Sequence, residues 1–263
     1  MLSYITIGLV ALLASGLTMY SGFGLGTILL PVFALFFPIE AAVAATAAVH
    51  GANNVFKVSL LGKCADRSLV LKFGVPAILA AFAGAALLGY MAHFGQIASY
   101  TIGSRTAVIT PLKLLLGLLM LIFALFELLP RFKQLTFSKN YLFLGGLLSG
   151  FFGGLSGHQG ALRSAFLAKV GITAQAFVGT NALIGFMVDA ARIIVYAYVF
   201  FLADTGDIFI REQIPLILTG IVFAFAGVLI GKRFLHKITM TFVQTLTGIL
   251  LMAISFALAA GLI

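Results

Sequence analysis

Apolar residues run along this chain in long stretches broken by short charged or glycine-rich turns. Taking roughly twenty apolar residues as the guide for one crossing of a bilayer core, long segments fall near 2–20, 39–61, 69–92, 106–129, 141–155, 173–203, 213–231 and 238–263. Two shorter segments, 26–37 and 160–170, each follow a glycine-rich turn. At about 1.5 Å of rise per residue they reach only about 17 Å, against a hydrocarbon core of roughly 30 Å. Outer-membrane barrels alternate apolar and polar residues in segments of about ten. These runs do not alternate, so the predicted spanning elements are helices.

Composition agrees with that pattern. The 263 residues are 62% hydrophobic and 9% charged, with a mean hydropathy of +1.18; soluble domains carry about 25% charged residues. An integral membrane protein is expected, with the lipid bilayer as its solvent. The net charge of +9 comes from Lys and Arg scattered singly, with no basic patch interleaved with aromatics, so nucleic acid is not an expected partner. The single cysteine, Cys64, rules out an intramolecular disulfide and a cysteine-built metal cage. The first basic residue is Lys57, so the first segment lacks the positive n-region of a signal peptide and reads as a retained helix.

The chain resembles itself. At a shift of 134 residues, Ser15 aligns with Ser149, Gly16 with Gly150, Gly26 with Gly160, Ala42 with Ala176 and Thr46 with Thr180; AFAG at Ala81–Gly84 recurs later at Ala224–Gly227. The reading is a duplication, with residues 1–130 as the first membrane repeat, 131–140 as a cytoplasmic linker and 141–263 as the second repeat. Loop charges set the orientation. Lys63, Arg67 and Lys72, then Arg131, Lys133 and Lys139, then Lys232, Arg233 and Lys237 mark three cytoplasmic loops by the positive-inside rule. The 93–105 and 204–212 loops face out, the second with Arg211 against Asp204, Asp207 and Glu212. Each half then crosses an odd number of times, so the halves are inverted and both termini are extracytoplasmic. The fold expected is an all-α integral membrane protein of two inverted-topology repeats, about five helical segments each, with half-helices after the glycine turns. The location expected is the cell inner membrane.

The turns carry the candidate chemistry. SGFGLG contains Gly22, Gly24 and Gly26; GLSGHQG contains Gly157, His158, Gln159 and Gly160. Glycine permits positive φ and close backbone approach, and a helix starting at such a turn directs unpaired N–H groups and its positive dipole end toward it, a setting for an anion. Arg163 lies in the first turn after Gly160, where it opposes the helix dipole and calls for an anion or a carboxylate; Asp189 is the obvious structural partner. The next helix in each half carries a polar stripe. Thr46, His50, Asn53 or Asn54, and Lys57 are spaced by three or four and share one face, with Lys57 expected to snorkel to the inner surface; Thr180 and Asn181 lead to Asp189 and Arg192, spaced i, i+3 and able to pair. Glu127, near Pro130, is expected to reach the interface.

With these features the chain resembles the sulfite exporter TauE/SafE family of small-anion permeases. The glycine turn, the short apolar segment, the stretches AVAAT ending at Thr46 and AFVGTN from Ala176 to Asn181, and the later small residues Gly84, Gly89, Gly220, Gly227 and Gly231 carry the likeness over nearly the whole chain. The resemblance implies export of a small oxyanion such as sulfite, a sulfonate or a related organic anion. An anion channel is the alternative. GLSG at Gly154–Gly157 also matches the GxSG pattern of intramembrane serine proteases, but His158 is not expected to turn back onto Ser156 as a base. No P-loop and no metal-ligand cluster stand out, so no cofactor is expected.

Overall fold

A computed structural model describes residues 1–19, 22, 24–103, 105–133, 136–167, 170–199, 213–234 and 240–263. Ser21, the 204–212 loop with its four charges, and Lys237 lie outside the described residues.

The helices of the first half are α1 (Leu2–Leu17), α2 (Leu25–Ala34), α3 (Ile39–Leu61), α4 (Arg67–Ala92) and α5 (Pro111–Leu128). Those of the second half are α6 (Leu142–Ser156), α7 (Gly160–Leu167), α8 (Ala174–Ala197), α9 (Ile214–Phe234) and α10 (Met240–Ala259). Local chemistry explains several starts. Asp66 caps α4 by accepting from the Leu69 amide, Thr110 accepts from Lys113 ahead of α5, and Thr173 accepts from Ala176 at the head of α8. Within α4, residues Val70–Gly74 wind as a π turn just before Pro76, whose ring leaves an amide out of the ladder.

One expected span is corrected. The stretch from residue 106 does not begin a helix; β1 (Ala98–Ile102) and β2 (Arg105–Ile109) form an antiparallel hairpin, so the fold is not purely α. The β-branched residues Thr106, Val108 and Ile109 favour extended backbone, and helix α5 waits for Pro111 at its first turn.

Arg67–Ala92, Pro111–Leu128, Ala174–Ala197 and Ile214–Arg233 have the length and apolar composition to cross a membrane. Large apolar side chains such as Leu79, Leu118 and Val222 stand on the outer surface of these helices. This is the outside of a multi-pass membrane protein. The ten residues of α2, by contrast, are all buried. Helix α2 is thus enclosed by protein.

Helices of the two halves interleave. α1 packs along α9 and α4 along α6, while α3 pairs with α8 and α5 with α10. Small residues make the first two contacts close: Gly150 and Gly154 lie on the Ala77 and Ala81 carbonyls, and Gly227 and Gly231 on the Leu12 and Gly16 backbone. The crossing of α3 and α8 sits at Gly51, against Asp189, and at Gly185, against Asn54. That crossing brings the polar stripes of both halves together.

Candidate functional site

The two glycine turns touch. Gly22 and Gly24 have φ of 74° and 111°, and Gly157 has φ of 82°, conformations that side-chain-bearing residues rarely adopt. A Cβ on Gly26 would stand 3.6 Å from the Gly157 carbonyl oxygen and 3.5 Å from the His50 ring. Gly160 opens α7, and Ser149 holds the second turn by donating its hydroxyl to the Gln159 carbonyl at 3.0 Å.

Arg163 spans both turns. Its Nη2 donates to the Gly22 carbonyl at 3.2 Å, its Nη1 to Gln159 Oε1 at 2.8 Å and its Nε to Asn181 Oδ1 at 2.7 Å. Only 1% of the residue is exposed. Every one of these partners is neutral, so among the described residues Arg163 makes no direct ion pair with Asp189, the expected structural partner. The reason is competition. Asp189 Oδ1 accepts from Arg192 Nε at 3.0 Å, Arg192 Nη2 at 2.8 Å and Gln159 Nε2 at 3.3 Å; Oδ2 accepts from His50 Nδ1 at 2.7 Å and Asn54 Nδ2 at 2.8 Å. The carboxylate is saturated by five donors, and its charge is balanced by Arg192. Among the described residues Gln159 joins Arg163 to that cluster by hydrogen bonds.

Other candidates lie elsewhere. Thr46 donates its hydroxyl back to the Ala42 carbonyl within α3, and Thr180 accepts from the Asp66 amide beyond the end of α3. Neither hydroxyl joins the Arg163 cluster. Asn53 accepts from Ser15 Oγ at 2.9 Å, and its Nδ2 is buried with no partner among the described residues. His158 does turn back onto Ser156, contrary to expectation: Nδ1 and Oγ are 2.9 Å apart, because the left-handed Gly157 between them reverses the chain. Its ring stacks on Phe123 at 5.2 Å.

Lys57 is 6% exposed. One further correction concerns charge: Glu127 is buried rather than interfacial. Sequence reasoning passed over Gly185, whose missing side chain makes room for Asn54 and Arg163, and Tyr196, whose hydroxyl donates to the Gly154 carbonyl. Tyr196 falls one helical turn after Arg192, a spacing that signals a shared face. Among the described residues no three His, Cys, Asp or Glu side chains gather to hold a metal ion.

The family described as Sulfite exporter TauE/SafE matches residues 7–258. The chain belongs to that family. No individually curated protein matches it. Membership in the sulfite exporter TauE/SafE family implies a membrane transporter of sulfite or related anions, and it is a family of transporters rather than of enzymes.

Proposed function

We propose that this TauE/SafE member carries a small oxyanion through a site where the Gly22–Gly26 and Gly157–Gly160 turns meet, with Arg163 as its central cation. One observation carries the reading. A guanidinium 1% exposed, held by three neutral acceptors and no carboxylate, is costly at membrane depth unless an anion visits it. Its remaining N–H groups and the helix start at Gly160 supply donors for oxyanion oxygens.

The inverted-repeat architecture fits the same reading. Under the correspondence of α1–α5 with α6–α10, the α1–α9 contact is the counterpart of α6–α4, and α3–α8 and α5–α10 are self-related. Such a pairing supports two copies related by an axis in the membrane plane, with half-helices α2 and α7 meeting near the midplane. The positive-inside pattern supports termini on the outer side of a cell inner membrane. With the interior negative, each exported negative charge gains about 2.3 kcal/mol per 100 mV, so export needs no nucleotide.

The Ser156–His158 contact favours a second reading, a serine hydrolase, which its hydrogen-bond pattern opposes. Ser156 Oγ donates to the Phe152 carbonyl at 3.1 Å, so His158 Nδ1 must be the donor in their contact and does not serve as the serine's base. The deciding experiment is sulfite and sulfate flux in proteoliposomes. Arg163→Gln is expected to lower it at least about tenfold, the loss of one charge-assisted interaction; unchanged flux and unchanged affinity would remove Arg163 from the site.

A further inference from the structure

His50 sits where the glycine turns meet. Its ring Cδ2 is 3.5 Å from the point where a Cβ on Gly26 would stand, and the Gly157 carbonyl oxygen is 3.6 Å from the same point. On the opposite edge of the ring, Nδ1 meets Asp189 Oδ2 at 2.7 Å. Arg192 keeps that carboxylate ionised, so it has no hydrogen to give and Nδ1 carries the hydrogen of the imidazole. Asn54 Nδ2, 3.1 Å from Nδ1, donates to Asp189 Oδ2 at 2.8 Å instead. A neutral imidazole of this tautomer holds a lone pair on Nε2, the atom bonded to Cδ2 on the edge turned toward Gly26. Nε2 has no hydrogen-bond partner among the described residues. It is not sealed in either, because the His50 side chain is 10% exposed where those of Asp189 and Arg192 are 0%. Arg163 is near. Its Nη1 and Asn54 Nδ2 stand 3.2 and 2.7 Å from the Cβ position of Gly185. With Asn54 Nδ2 3.1 Å from His50 Nδ1, the guanidinium and the imidazole are no more than about 9 Å apart, comparable with one small oxyanion holding a hydrogen bond of about 2.8 Å at each end.

We propose that His50 is a substrate acceptor: its Nε2 takes the acidic hydrogen of a protonated oxyanion whose other oxygens face Arg163, so that the site binds one proton together with each anion. The proposal rests on the anion-binding reading of Arg163. The proton count follows from the tautomer. Hydrogen sulfite brings its own O–H to the lone pair; a dianion brings only oxygen lone pairs against it and binds by taking one proton from water. An anion with no acidic hydrogen leaves Nε2 unpaired in the closed site. The charged and titratable groups around the ring are few. α8 supplies Asp189, Arg192 and, two turns past Asp189, Tyr196; α7 supplies Arg163, the second turn His158 on Phe123, and α3 itself Lys57, two turns on. α2 has none. α9 meets α3 at Gly220 and Val49, beside His50, whereas its Lys232 and Arg233 lie about 18 Å further along the helix. α1 meets α3 at Ser15 and Asn53, and its Tyr4 is about 16 Å away along that helix.

Sulfite and methanesulfonate make the test, because sulfite loses its second proton near neutral pH and methanesulfonate has no acidic hydrogen. Each is titrated into the purified full chain by calorimetry in buffers of different ionisation heat, at about pH 6 and about pH 8. Wild type is expected to take up close to one proton per sulfite at the higher pH, and to bind total sulfite about tenfold more tightly at the lower one. Methanesulfonate is expected to bind without proton uptake, and at the lower pH about tenfold more weakly than sulfite, the effect of one hydrogen bond. His50→Asn retains a donor for Asp189 and removes Nε2; it is expected to lose both the proton uptake and the preference for sulfite. Sulfite binding to wild type without proton uptake overturns the proposal, as does equal uptake with methanesulfonate, or a folded His50→Asn that still takes up a proton with sulfite. Should His50→Asn fail to fold, the wild-type proton counts with the two anions decide. The two readings fail differently. If sulfite binds wild type, Arg163→Gln abolishes the binding and no proton is taken up, only the role of His50 falls; if sulfite, sulfate and methanesulfonate all fail to bind wild type, the anion site falls with it.

Discussion

His50 Nδ1 stands 2.7 Å from Asp189 Oδ2, joining two residues 139 positions apart across the α3–α8 crossing. Because Asp189 also faces Arg192, it is an acceptor, and the imidazole must carry its proton on Nδ1. The same carboxylate therefore ties the polar stripe of one half to that of the other.

Removing that carboxylate should be the most damaging polar change in the protein. Asp189→Asn leaves Arg192 buried beside an amide, and loss of one partner of a buried pair costs about 3–5 kcal/mol. A fall in unfolding temperature or denaturant midpoint in detergent is the expected readout, with Asp189→Asn/Arg192→Met recovering part of it. An Asp189→Asn protein as stable as wild type would mean the pair is not maintained.

Backbone contact between helices makes certain glycines irreplaceable. A methyl on Gly150 would run into the Ala77 carbonyl, and one on Gly227 into the Leu12 carbonyl, with backbone rather than a flexible side chain in the way. Gly150→Ala and Gly227→Ala are expected to destabilise by about 1–3 kcal/mol, as overpacked cores do. Gly95→Ala, with nothing within 4 Å, should stay within about 0.5 kcal/mol of wild type. Thermal unfolding of the three variants side by side checks the ranking.

At Gly157 the strain is conformational as well as steric. Its φ is +82°, and an added Cβ would lie 2.7 Å from Arg192 Nη1. Gly157→Ala is expected to cost roughly 1–2 kcal/mol for the left-handed backbone and to lower anion flux more than stability by shifting the second turn. Flux and melting point falling in the same proportion as in Gly150→Ala would argue against a special role for the turn.

Replacing Ser156 by Ala discriminates transport from hydrolysis. The hydroxyl is engaged with Phe152 and His158, so about 1 kcal/mol of stability is the expected loss, while flux in proteoliposomes persists within about twofold because no step of anion passage uses that hydroxyl. Abolished flux in a folded Ser156→Ala protein would contradict the assignment.

Orientation is checked independently of the site. A periplasm-active reporter fused after Ile263 is expected to be active and a cytoplasm-active one silent, following the basic loops that hold Lys63, Arg67 and Lys72. The reverse pattern would break the inverted arrangement.

Periodicity and length alone determined much of the helical layout. The span read as 39–61 is α3, Ile39–Leu61, and the short segment from residue 160 is α7, because burial in lipid or protein demands continuous apolar runs whatever packs around them. The i, i+3 pairing of Asp189 with Arg192 was likewise legible, being a property of one helix. What a sequence pattern does not encode is competition between distant groups. Arg163 and Asp189 looked like partners, yet the α3–α8 crossing delivers His50 and Asn54 to the carboxylate first and leaves the arginine with neutral acceptors. Only tertiary structure decides which of several buried donors a single carboxylate satisfies, since that depends on distances of a few ångströms set by where two helices cross.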